Sequence, residues 1–172
     1  MLVDLGHAGD HESFSFDETF SLTGHGGEEL ACRTSVALEA TRSGNRFLLE
    51  GSVNAAVQAE CGRCLAPFEH AVEGVFSVML QRGGGQTVPE GIEEEDFVVL
   101  GEGEEYRYDV FPHVREAVLL ELPIRFLCRE DCAGICPQCG ANRNEAPCGC
   151  PEAEGDPRWG DLKKLLNKDD EQ

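Results

Sequence analysis

Residues 46–60, RFLLEGSVNAAVQAE, decide the fold. Phe47, Leu49, Gly51, Val53, Ala55, Val57 and Ala59 hold one phase, and Arg46, Glu50, Ser52, Asn54, Gln58 and Glu60 the other. Successive side chains of a strand point to opposite faces, so this alternation predicts a long strand buried on one face only. Immediately before it, Arg42-Ser43-Gly44-Asn45 supplies turn chemistry. Before that turn, Leu30, Cys32, Thr34, Val36, Leu38 and Ala40 alternate with Arg33, Ser35, Glu39 and Thr41. After it, Phe68, Val72, Phe76, Val78 and Leu80 share a phase against Glu69, Glu73, Ser77 and Gln81. Three half-buried strands joined by short turns predict an antiparallel β-meander, open or partly closed into a barrel. Phe14, Phe16, Phe20 and Leu22 alternate in the same way and offer an edge strand.

Between Gln81 and Asp96 the pattern dissolves into Gly83-Gly84-Gly85, Pro89 and the acid run Glu93 to Asp96, which reads as a solvated loop. Phe111, Val114, Val118, Leu119 and Leu122 then recur at helical spacing. Asp109 stands as N-cap, Pro112 lies in the first turn and Pro123 follows the end, so one main helix is expected at about 110–122. Ile124 to Leu127 reads as an extended lead into a cysteine cluster. The fold class is therefore α+β. A β-rich domain covers 1–122, and a Cys-rich module covers 123–172 and ends in a short helix.

With 172 residues, 41% of them apolar, the chain can bury one core and carry a small appendage. It has neither a basic and apolar leader nor a run near the ~20 apolar residues that span a bilayer, so a soluble, cytoplasmic protein is expected, with no membrane partner. The formal charge of −19 speaks against non-specific nucleic-acid binding. Residues 1–122 carry 7 Lys and Arg against 23 Asp and Glu, and residues 123–172 carry 7 against 10. The acid excess belongs to the β-rich part, which suits a basic partner.

Eight of the nine cysteines stand at metal-ligand spacings. Cys61-Gly62-Arg63-Cys64 sits where the second strand gives way to the third. A C-x2-C pair in a tight turn lets two thiolates converge on one ion, whereas a thioredoxin-like dithiol needs a following helix. Cys128, Cys132, Cys136, Cys139, Cys148 and Cys150 crowd a stretch rich in glycine and proline that cannot form a core alone. Bound metal would supply the missing folding free energy. Cys136, Cys139, Cys148 and Cys150 make the most compact tetrad for Zn2+. Cys61, Cys64, Cys128 and Cys132 would then form a second, tying the hairpin tip to the module. Spacing alone leaves open one structural zinc with spare buried thiols. No H-x-E accompanies a P-C-x-x-C, and the five histidines are scattered, so a catalytic zinc is not indicated and an enzyme is not expected. Cys32 falls on the inward phase and reads as a small core residue.

Asp156-Pro157 opens a last amphipathic helix. Trp159, Leu162 and Leu166 form an apolar stripe, and Lys163 and Lys164 lie beside it. This helix either docks on its own module or anchors a partner.

At these residues the chain resembles the YceD family of large ribosomal RNA subunit accumulation proteins. The resemblance is carried by Cys61-Gly62-Arg63-Cys64-Leu65-Ala66-Pro67-Phe68, by Val114-Arg115-Glu116-Ala117 with Leu122-Pro123, by Leu127 to Gly140 and by Asp156-Pro157-Arg158-Trp159. It covers most of the chain from about residue 50. It implies a cytoplasmic, bacterial or plastid-type, non-enzymatic factor that supports large-subunit ribosomal RNA accumulation and ribosome assembly. Some branches of the family lack the second cysteine cluster, so metal binding rests on this chain's own cysteines. The acidic charge points to a basic ribosomal protein as partner, or to the ribosomal RNA precursor through the less acidic end. Two other readings fit the residues: a redox-switched zinc protein, and an acidic interaction module that sequesters a basic partner.

Overall fold

In the computed structural model the described residues are 1–6, 9–83, 96–100 and 107–151. The segment 156–168, with Trp159, Leu162, Lys163, Lys164 and Leu166, and most of the acidic loop lie outside them. The centre is a five-stranded sheet in the order β2 (His11–Thr23), β3 (Glu29–Ser43), β4 (Arg46–Glu60), β5 (Pro67–Arg82), β6 (Phe97–Leu100). Residues 46–60 are its middle strand. Every odd position from Phe47 to Ala59 is buried, as is every even position from Leu30 to Ala40. Gly44, with φ +62°, takes the left-handed conformation that the tight β3–β4 turn requires.

Two expectations are corrected. The sheet is mixed rather than a pure antiparallel meander, because β6 pairs in parallel with the end of β5, Met79 opposite Phe97 and Arg82 opposite Leu100. A parallel partner needs a connection of about a dozen residues or more, and the stretch read as a loop is long enough to return the chain to the level of Met79. The sheet is also open, not a closed barrel. Among the described residues β2 and β6 are its edges.

One face of the sheet is covered and the other is exposed. The covering has two parts. The helix α1 (Phe111–Glu121) lays Val114, Ala117 and Val118 over β4 and β5, joining a cluster with Cys32, Val36, Val53, Val57 and Val72. A two-stranded antiparallel ribbon of β1 (Leu2–Asp4) and β7 (Arg107–Asp109) covers the other half. Val3, Leu5 and Val110 are wholly buried there against Leu38, Phe47, Leu49, Val78 and Leu80. Three-residue strands are too short to show an alternation, which is why the sequence does not reveal β1 and β7. Val110 rather than Asp109 is the N-cap position, without a side-chain cap. Asp109 still serves the helix start by accepting the Phe111 amide at 3.0 Å.

After α1 the chain does not run extended. It bends at Ile124 and Arg125, because the Phe126 carbonyl accepts the Gly62 amide at 2.9 Å and Arg125 donates to the Gly62 carbonyl at 3.0 Å. This pair of bonds fastens the segment that carries the later cysteines to the β4–β5 tip. No helix among the described residues is long and apolar enough to cross a membrane.

Candidate metal centre

Two knuckles of the same construction present the cysteine pairs. At the β4–β5 tip the Leu65 amide donates to the Cys61 carbonyl at 2.9 Å, and the Cys61 amide to the Ala66 carbonyl at 2.9 Å. In the C-terminal segment the Gly140 amide donates to the Cys136 carbonyl at 2.8 Å, and the Cys136 amide to the Ala141 carbonyl at 2.8 Å. Both turns place the residue after the second cysteine in the left-handed region, Gly140 at φ +72° and Leu65 at φ +58°. Glycine adopts that backbone freely. Leucine does so at a cost of about 1–2 kcal/mol, so the knuckle at the sheet tip holds strain.

The eight thiols converge into two groups, Cys61 with Cys64, Cys128 and Cys132, and Cys136 with Cys139, Cys148 and Cys150. Within each group the sulfurs lie within 4.8 Å of one another. The sulfurs of Cys61 and Cys132 are 3.8 Å apart, and those of Cys64 and Cys128 3.7 Å. A disulfide requires about 2.05 Å. The edge of a tetrahedron built on Zn–S bonds of about 2.3 Å is about 3.8 Å, so the spacing and the all-sulfur donor set fit a closed, structural zinc site.

The two groups differ in exposure. Cys61, Cys64 and Cys132 are buried between the tip and the following segment, with Cys128 partly exposed. In the second group only Cys136 is buried, and Cys139 is exposed. Backbone amides shape the thiols of both. Those of Cys128, Cys64 and Arg63 face the Cys61 sulfur and bring its pKa down to about 5. The amides of Cys139 and Gln138, with the Cys148 thiol, bring Cys136 down to about 6. The partners that keep the proton are pushed the other way. Cys128 rises to about 12 through desolvation and its neighbouring thiols, and Cys150 to about 12 through the Cys139 thiol and desolvation. In the metal-free protein each group therefore already holds thiolate character and still has protons for a metal to displace.

Cationic and amide groups surround the first set. Arg63 donates to the carbonyls of Glu130 (3.0 Å) and Cys132 (3.2 Å), bringing positive charge beside the inner group of thiols. Gly134, at φ +72°, lets the chain pass close to Arg63, whose carbonyl accepts the Ile135 amide at 3.1 Å. Asn144 is the residue that sequence reasoning missed. It lies in sequence between Cys139 and Cys148, yet its side-chain amide donates to the Cys132 sulfur at 3.3 Å. Its Oδ1 accepts from Arg129 (2.6 Å) and from the Ala133 amide (2.8 Å), so one side chain ties the loop between Cys139 and Cys148 to the inner cysteine group. The only signal was a pair of asparagines in a loop, which turn chemistry alone would explain.

Cys32 stands apart from both groups, wholly buried in the sheet core, where desolvation raises its pKa. His113 stacks on Phe76 and meets Tyr108 at 2.7 Å, and His70 packs edge-on to Phe126. These two histidines have packing roles.

Residues 49–166 match the family model described as large ribosomal RNA subunit accumulation protein YceD. An uncharacterized protein of Mycobacterium tuberculosis is 34% identical over 69% of this chain and 55% of its own length. The Arabidopsis thaliana protein named large ribosomal RNA subunit accumulation protein YCED homolog 1, chloroplastic, is 27% identical over 76% of this chain and 47% of its own. An uncharacterized Bacillus subtilis protein, YlbN, is 27% identical over 96% of this chain and 95% of its own length. The chain spans about half the length of the mycobacterial and plant relatives it matches. No solved structure matches. The family match takes in both cysteine knuckles, α1, β5 and most of β4, and on that ground the chain belongs to the YceD family.

Proposed function

We propose that this protein is a non-enzymatic factor that supports accumulation of large-subunit ribosomal RNA, and with it assembly of the large ribosomal subunit, and that it holds two structural zinc ions. The observation that carries the ribosomal reading is membership in a family whose plant relatives bear that name. The formal charge of −19 favours a basic ribosomal protein over bare ribosomal RNA as the direct partner. The zinc ions would cross-link the β4–β5 tip to the segment from Cys128 to Cys150, a structural role that leaves no open coordination position for chemistry. Trp159, Leu162, Lys163, Lys164 and Leu166 would supply an additional docking helix. The cytoplasm, or a plastid stroma in plants, is the compartment consistent with reduced thiols.

The test is depletion of the protein in its host with measurement of large- to small-subunit ribosomal RNA. A lowered ratio restored by the wild-type gene supports the reading, and an unchanged ratio ends it. Metal analysis of protein purified under reducing conditions should give two zinc ions per chain, with all nine thiols titrating once the protein is denatured and the metal chelated.

The exposure of Cys139 favours a second reading for the outer cysteine group, a zinc site that opens on oxidation. Mild peroxide would then release one zinc and change activity reversibly. Zinc retained through such treatment would exclude the switch.

A further inference from the structure

The outer face of the sheet is not a plain solvated surface. Across β2 to β5 it dips into a trough of about 530 Å³. Its floor is small, with Ser35, Asn54, Ala56 and Ala71 side by side on the outward phase. One cross-strand row runs Asp17, Ser35, Asn54, Glu73, so a carboxylate stands at each wall with short side chains between. Three strand spacings separate these walls by about 14 Å. Alanine, serine and asparagine are weaker strand formers than the β-branched and aromatic residues that suit an exposed sheet face. Strand propensity therefore does not explain the floor.

The charge of the face is one-sided. Its charged side chains are acids apart from Arg33 and Arg46. Arg33 lines the trough but is paired with Glu69 at 3.0 Å, and Arg46, away from the trough, donates to Gln81 at 2.8 Å.

We infer that this trough is a docking surface for a lysine- or arginine-rich helix of a protein partner. A helix with its side chains is about 10–12 Å across and fits between walls about 14 Å apart. The short floor residues admit close approach, and Asp17 and Glu73 meet its cations from either side. A nucleic-acid backbone would face the same carboxylates and be repelled. The inference deepens the proposed function, on which only the partner's ribosomal identity rests.

The probe is a fluorescein-labelled, 20-residue helical peptide of alanine and lysine, bound to the full chain and followed by anisotropy in low salt. Three variants decide the matter: Asp17→Asn with Glu73→Gln removes the walls, Ala56→Trp with Ala71→Trp fills the trough, and Glu116→Gln with Glu121→Gln removes as many acids from α1 on the opposite face. Thermal melts check that each remains folded, as expected for solvent-facing positions. Affinity should fall about tenfold in the first two and less than twofold in the third, given that exposed ion pairs are worth about 0.2–1 kcal/mol each. Equal loss in all three would show general attraction to an acidic body and overturn the inference. So would unchanged binding in the trough variants, no binding by wild type, or an RNA fragment that binds wild type tightly and is lost on filling the trough. Co-sedimentation with large-subunit precursors is read separately. Trough variants that lose the peptide while depletion of the protein leaves the ribosomal RNA ratio unchanged would sink the ribosomal reading and leave the trough standing.

Discussion

Single residues of the cysteine centre can be separated by their chemistry. Asn144 lies in sequence between Cys139 and Cys148 of the outer group but donates to Cys132 of the inner one. Asn144→Ala should therefore weaken zinc binding at the inner site by about 10–100-fold, the usual effect of deleting a group that supports a ligand. Chelator-driven zinc release, resolved into two phases, checks this. Acceleration of the outer phase alone would contradict the geometry. The two knuckles provide a matched pair at the strained position. Gly140→Leu should cost about 1–2 kcal/mol in denaturant unfolding. Leu65→Gly should stay within about 0.5 kcal/mol of wild type, because relief of left-handed strain offsets the added freedom of the unfolded chain. Protonation gives a third prediction. At pH 7 Cys128 and Cys150, with pKa values of about 12, hold protons that zinc must displace, so zinc affinity should rise with pH in the neutral range. Calorimetry in buffers of different ionisation enthalpy should find net proton release on loading. Loading without proton release would show that Cys128 and Cys150 are already ionised before the metal arrives.

At the scale of elements, the contact between α1 and the sheet depends on a glycine. A Cβ on Gly74 would lie 3.0 Å from the Ala117 carbonyl oxygen and 3.2 Å from its carbon. Both are helix backbone, which cannot turn aside. Gly74→Ala should push α1 off β5 and destabilise the fold by about 1–3 kcal/mol. Gly51→Ala makes a useful contrast, since its methyl would meet the Phe76 ring, a half-buried side chain stacked on His113 that can rotate away where helix backbone cannot. It should cost clearly less in the same thermal melts, and equal costs would mean that Phe76 is fixed. The pattern of legibility follows the same physics. β3, β4 and β5 could be read because each has one buried and one exposed face along its whole length. β6, half-buried throughout, shows no alternation, and its parallel pairing depends on where a long connection returns.

For the whole molecule, the sheet and the cysteine centre should prove separable. The two core clusters that fill the covered face contain none of the eight grouped cysteines. Removing zinc with a chelator under reducing conditions should unfold the tip at 61–66 and the segment 127–151 while β2 to β5 persist. Hydrogen exchange would show protection lost in those segments alone. Cooperative loss across the sheet would mean that the metal sites hold the entire fold. The charge also acts at this scale. Its excess of acid lies in the part that forms the sheet, and the outer face gathers some of it around a floor of small residues.

The sequence by itself determined the long strands, the inward phase of Cys32 and the eight cysteines as a set, because alternation and ligand spacing are local properties of the chain. The tertiary structure brings the eight together in the two tetrads that spacing favoured. Cys61 and Cys64 reach Cys128 and Cys132 only because Gly62 and Phe126 bond across the tip and bring together residues more than sixty positions apart. It also decided that β6 runs parallel, that the β1–β7 ribbon completes the core, and that Asn144 reaches the inner cysteine group. Each of these depends on where a connection returns the chain, which no local pattern records.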